Sequence, residues 1–154
     1  MARRGKEELY LHTLRPLMAF VHGRAFPADH VFTREEKLAV TPEKIVQYLK
    51  IQVYGTADAR PDIDPPLHHR SNTILYWKKA WSYFMINKGM AWNELSRVGN
   101  PTRSYLVHEL IGNIKKMEAA RCGVPSRARR ALQVPEYENT IESFTEEENK
   151  EVGN

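Results

Sequence analysis

Apolar residues recur at helical spacing in four stretches of the chain, and no segment alternates convincingly with the period of two that marks a half-buried strand. In the first stretch Leu17, Phe20 and Val21 fall at i, i+3 and i+4. Thr13 stands ready as a cap, Pro16 falls in the first turn and Gly23 stops the run, which predicts a helix from Thr13 to Gly23. Residues 1–12 read as a flexible basic lead-in that allows a helical start, and a helix beginning near Lys6 would have to kink at Pro16. Thr33 with Glu36 three positions on has the form of a capping box and opens a short helix.

The clearest local signal is Thr41-Pro42-Glu43-Lys44, an N-cap followed by a proline at the first helical position and an early acid. Ile45, Val46, Leu49 and Val53 then share one face, and Gly55 ends a helix predicted over 42–54. Residues 55–67, rich in Pro, Asp and Gly, predict a loop or arm. From Ser71 to Lys88 there is neither Gly nor Pro, and Ile74, Trp77, Trp81 and Phe84 or Met85 form a stripe, which predicts the longest helix of the fold, broken at Gly89. Residues 90–100 make a connection with room for a short helix around Trp92 to Leu95. Asn100-Pro101-Thr102-Arg103 then opens a last core helix with the stripe Leu106, Val107, Leu110, Ile111, Ile114 and Met117, ending at Gly123. The expected fold is all-α, a compact four- to five-helix bundle over 13–132, followed by an acidic tail or linker at 133–154.

Charge sharpens this picture. Between Arg70 and Leu132 twelve Lys or Arg face three Glu, a net +9, whereas 133–154 hold seven Glu and one Lys, a net −6. A strongly basic segment attracts polyanions, because each phosphate it neutralises releases condensed counterions. A merely well-solvated basic surface accounts for the same numbers. The candidate contacts are Arg70, Lys78 and Lys79 on the Trp-rich helix, with Ser71, Asn72, Thr73 and Tyr76 beside them to hydrogen-bond phosphates or base edges. Arg103, and a second cluster of Lys115, Lys116, Arg127, Arg129 and Arg130, complete the set. An ordinary polar helix face and a basic linker are the plain alternatives.

Little else in the chain carries chemistry. Its six histidines show no helical ligand pair with a third ligand in reach, so no metal and no cofactor is expected. Asp58, Asp62 and Asp64 alternate in the Pro-rich loop but lack the Gly and terminal Glu of a calcium loop. The lone Cys122 can form no internal disulfide, and it sits at the helix end that does not favour a thiolate. No run approaches the 18 apolar residues of a membrane span and no signal-peptide core follows the N-terminus, so a nuclear or other intracellular location is expected, with no membrane partner.

The order of segments resembles a known family. Leu17-Met18-Ala19-Phe20-Val21, then Thr41 to Leu49, then Arg70-Ser71-Asn72-Thr73-Ile74 through Lys78-Lys79-Ala80-Trp81-Ser82-Tyr83-Phe84, is similar to the N-terminal core-binding, SAM-like domain of tyrosine recombinases. Gly99-Asn100-Pro101-Thr102-Arg103, with Leu110-Ile111, Lys115-Lys116-Met117-Glu118 and Ser126-Arg127-Ala128-Arg129-Arg130, looks like the Crypton-type eukaryotic transposon recombinases. The resemblance spans about residues 13–132. It implies half of a C-shaped clamp around double-stranded DNA, with the helix near 71–88 against the major groove, and it allows other copies of the chain on the same DNA. The family's catalytic set belongs to a separate C-terminal domain. Tyr137 lacks a cationic setting, so DNA binding is carried over and strand cleavage is not. A helical protein-interaction domain, whose basic face pairs with an acidic tail or partner, is the alternative function.

Overall fold

The structure is a computed structural model and describes residues 5–125. The compact unit, which closes at Gly123, is an all-α bundle. Its helices are α1 (Lys6–His22), α2 (Arg34–Leu38), α3 (Pro42–Tyr54), α4 (Ser71–Phe84) and α5 (Tyr105–Ala119), with a 3-10 turn at Pro101–Arg103 before the last. Helix α1 lies along α4, and α3 along α5. Leu14, Leu17 and Met18 of α1 meet Ile45, Leu49 and Val53 of α3, Ile74 and Trp81 of α4, and Val107 and Ile114 of α5 in one core.

Where local signals were strong, the elements follow them. Thr33 and Glu36 form the full capping box of α2, Thr41 accepts the Lys44 N–H at the start of α3, and Gly55 ends α3 in the left-handed region at φ 87°. The expected start of α1 is wrong by two turns: Thr13 is inside the helix, which begins at Lys6 and runs through Pro16. An interior proline costs about 3 kcal/mol. Packing upstream of it offsets that cost, because Tyr10 is 6 % exposed and meets Tyr76 and Tyr83 edge to face, which adds to roughly 1.5–3 kcal/mol of side-chain burial. One turn before Pro16, the Trp81 indole donates to the Thr13 carbonyl at 3.2 Å.

The second half departs from expectation at three points. Helix α4 stops at Phe84 and does not reach Lys88, so α1 is the longer helix. Met85 turns extended into the core, and farther on the Lys88 and Gly89 carbonyls accept tertiary hydrogen bonds from Asn100 and Arg103. No helix forms over Trp92 to Leu95. The Asn93 side chain accepts from the Leu95 and Ser96 N–H groups, its backbone pairs with Val98, and Arg97 adopts φ 59°, so a tight turn replaces it. Gly99, at φ 119°, lets the chain close this turn, since a Cβ there would lie 2.2 Å from the Ala91 carbonyl oxygen.

Finally, Asn100 caps only the 3-10 turn. A second cap, Ser104, starts α5, and α5 ends at Ala119 instead of running to Gly123.

Candidate nucleic-acid interface

Helix geometry sorts the residues of α4 into faces. At 100° per residue, Ile74, Trp81 and Met85 point into the core, and Asn72, Tyr76, Lys79 and Tyr83 form the outward ridge. Leu75, Lys78 and Ser82 lie on the flank nearest the 3-10 turn. There Lys78, Lys79 and Arg103 line one shallow pocket of about 190 Å³ together with Leu75, Ser82 and Thr102. Three of the predicted basic residues, from two elements separated by a loop, thus converge. Among the described residues none of the three is in an ion pair with a carboxylate.

Asn100 builds this convergence. It is fully buried, and each side of its amide is used: Nδ2 donates to Ser82 Oγ at 2.8 Å and to the Lys88 carbonyl at 3.0 Å, while Oδ1 accepts from the Thr102 N–H and hydroxyl. One side chain therefore ties α4, the Lys88–Gly89 corner and the 3-10 turn together. Arg103 adds a bond from Nη1 to the Gly89 carbonyl at 3.1 Å.

The other predicted residues are placed differently. Ser71 is buried, and both its backbone N–H (2.5 Å) and its hydroxyl (2.8 Å) donate to the Glu118 carboxylate, so it has no donor to offer at a surface. Arg70, the N-cap residue of α4, lies 3.5 Å from the same carboxylate. These two residues join α4 to α5: Glu118 gives α4 the anionic cap that its own sequence lacks. Thr73 is half-buried and a further 100° round from the ridge. Lys115 and Lys116 are exposed on α5, a turn before Glu118, and hence near the opposite end of α4 from Lys88. Arg127, Arg129 and Arg130 lie outside the described residues.

The structure also reveals participants that a reading by windows passes over. Tyr10 and Tyr83 join Tyr76 in an aromatic cluster, with Lys6 and Lys88 above it. The only signal in the sequence was the seven-residue spacing of Tyr76 and Tyr83, which a core stripe would show equally.

Away from this face, Arg97 forks onto Glu43 at 2.7 and 3.3 Å and reaches Glu94 at 3.1 Å, and the Arg97 hydrogen bonds hold the Glu43 carboxyl below its ordinary pKa. Among the described residues no group of three His, Cys, Asp or Glu is arranged to hold a metal ion, and no helix is long and apolar enough to cross a membrane. No family model, no curated protein and no solved structure matches this chain.

Proposed function

We propose that this chain is a duplex-DNA-binding module that lays the face of α4 carrying Lys78 and Lys79, with Arg103 beside it, against the phosphate backbone. The observation that carries the reading is the convergence of Lys78, Lys79 and Arg103 in one pocket, without carboxylate partners among the described residues, on a face held by the buried Asn100. Unpaired cations on a rigid element are what a phosphate lattice selects, and Asn72 and Tyr76 on the ridge with Lys79 supply hydrogen-bonding side chains. The resemblance of the ordered segments to core-binding domains supports this reading, in which the module would belong to a tyrosine-recombinase-like protein acting in DNA recombination or transposon integration in the nucleus. In that role it clamps DNA and performs no strand cleavage of its own.

The test is fluorescence anisotropy with a random 20-bp duplex between about 50 and 200 mM salt. The expected result is affinity that falls steeply with salt, and a Lys78→Ala/Lys79→Ala/Arg103→Ala variant whose log–log salt slope is shallower by about 2–3. Absent or salt-independent binding overturns the reading, and so does covalent trapping of nicked duplex by this chain, which would make it an enzyme.

The competing function, a helical protein-interaction domain, draws on Leu95, 96 % exposed at the tip of the Asn93–Val98 turn. Leu95→Asp leaves duplex affinity unchanged if α4 is the binding face. A loss of duplex affinity in that variant would shift the assignment to the turn.

A further inference from the structure

On the outward ridge of α4, beside the flank that carries Lys78, lies the tyrosine cluster. Tyr10 of α1 meets Tyr76 and Tyr83 of α4 edge to face, with ring centroids 5.9 and 5.5 Å apart. Two ammonium groups are gathered over it from distant parts of the chain. Lys88 Nζ stands 4.6 Å from the Tyr83 ring centroid and donates to the Tyr83 carbonyl at 3.3 Å. Lys6 Nζ lies 5.9 Å from the centroids of both Tyr10 and Tyr83. Among the described residues neither lysine is in an ion pair with a carboxylate.

Contact with the ring faces offers a local account of each lysine taken alone. It does not account for the pair. Two like charges over one aromatic group repel, and holding two long side chains in place costs rotamer entropy that an exposed ring contact recovers poorly. An anion seated between them reverses the sign of that electrostatic term. The backbone of Lys88 is held by Asn100, and Lys6 rides on a helix anchored by Tyr10, so the main chain presents both lysines to such an anion from fixed positions.

We infer that Lys6 and Lys88, with the hydroxyls of Tyr76 and Tyr83, form a second phosphate-contact strip for nucleic acid. This inference rests on the reading of α4 as a DNA-binding face and extends that face across onto α1. Tyr76 and Tyr83 belong to the outward ridge of α4, whereas Lys78 faces the flank nearest the 3-10 turn. The two groups of cations thus lie beside adjacent faces of α4, and a duplex, with two backbones, offers a phosphate row to each. A single strand offers one row.

The test measures the full chain against a random 20-bp duplex and one of its single strands. Lys6→Ala/Lys88→Ala is compared with Lys6→Arg/Lys88→Arg and with Lys78→Ala/Lys79→Ala, and thermal melting confirms that each variant is folded. The expected result is at least a tenfold loss of duplex affinity in Lys6→Ala/Lys88→Ala, a salt slope shallower by about 1.8, and retention of binding in the arginine pair. The same alanine pair is expected to weaken single-strand binding less. Parent-like duplex affinity in Lys6→Ala/Lys88→Ala, with weakened binding in Lys78→Ala/Lys79→Ala, removes the second strip and leaves the α4 reading standing. No duplex binding by the parent removes both.

Discussion

Asn100 shows how one buried polar side chain organises a surface. Its two donors and its acceptor oxygen are all engaged, by Ser82, Lys88 and Thr102, at 0 % exposure. Asn100→Ala would leave the Ser82 hydroxyl, the Lys88 carbonyl and the Thr102 donors short of a partner. The expected destabilisation is about 3 kcal/mol, read as a drop in melting temperature of roughly 10 °C or more. A loss below about 1 kcal/mol would show that the surrounding groups re-pair without it. Tyr54 is the converse case. Its hydroxyl is buried without a hydrogen-bond partner among the described residues, and burial, together with the nearby Asp64 charge, pushes its pKa up to about 12. Tyr54→Phe removes an unpartnered group, so its stability near neutral pH should equal or exceed that of the parent. Because the folded pKa is above the unfolded one, the folded state keeps the proton longer, and parent stability declines as pH rises from about 10 through about 12. Tyr54→Phe should lack that component of the alkaline decline when melts are compared across this range.

Among the elements, helix limits prove more sensitive to partners than helix cores. Helices α3, α4 and α5 have their stripes where the spacing put them, but α4 and α5 both end before the glycines expected to stop them, α4 where Met85 turns extended into the core. Helix α4 begins against the carboxylate of Glu118 on another helix. Glu118→Ala therefore removes a cap and leaves the half-buried Arg70 without that carboxylate, and is expected to cost about 1–3 kcal/mol in thermal or urea unfolding. An unchanged melting temperature would show that water serves α4 as well. The short α2 carries a pH-dependent lock. Its Glu36 carboxylate accepts from His30 Nε2 at 2.9 Å and from the Thr33 N–H at 2.8 Å, and these bonds, His30 first, hold its pKa below the ordinary value. A depressed carboxylate stabilises the fold fully above the ordinary glutamate range and loses that contribution as pH falls through the depressed value. The gap in melting temperature between parent and Glu36→Gln should thus be open near pH 6 and close in acid. A gap that persists unchanged at about pH 3 would place the effect elsewhere.

At the level of the whole molecule, the net charge of +4 understates the field, because the cations are not evenly spread. Those of α4, the 3-10 turn and the Lys88 corner gather around one ridge, whereas Arg24, Arg70 and Arg97 are matched with the carboxylates of Glu36, Glu118 and Glu43. A field arranged this way predicts association with duplex that is fast at low salt and steeply weakened by added salt. Stopped-flow measurement of the on-rate at two ionic strengths checks it, and an on-rate indifferent to salt would leave the ridge a solvated surface.

The helical class, the core stripes, the caps at Thr33 and Thr41 and the stop at Gly55 were legible in the chain, because each rests on contacts within a few residues. The concentration of positive charge after Arg70 was legible for the same reason, as a property of a segment. Which of those cations remain available was not. Arg70 and Ser71 look like surface residues until α5 brings Glu118 against them, and Lys6 and Tyr10 look like a loose lead-in until the ring faces of α4 give them a place to pack. These outcomes depend on residues between 47 and 77 positions apart in the chain, as in Ser71 with Glu118 and Lys6 with Tyr83, and only the closing of the core brings such partners within reach.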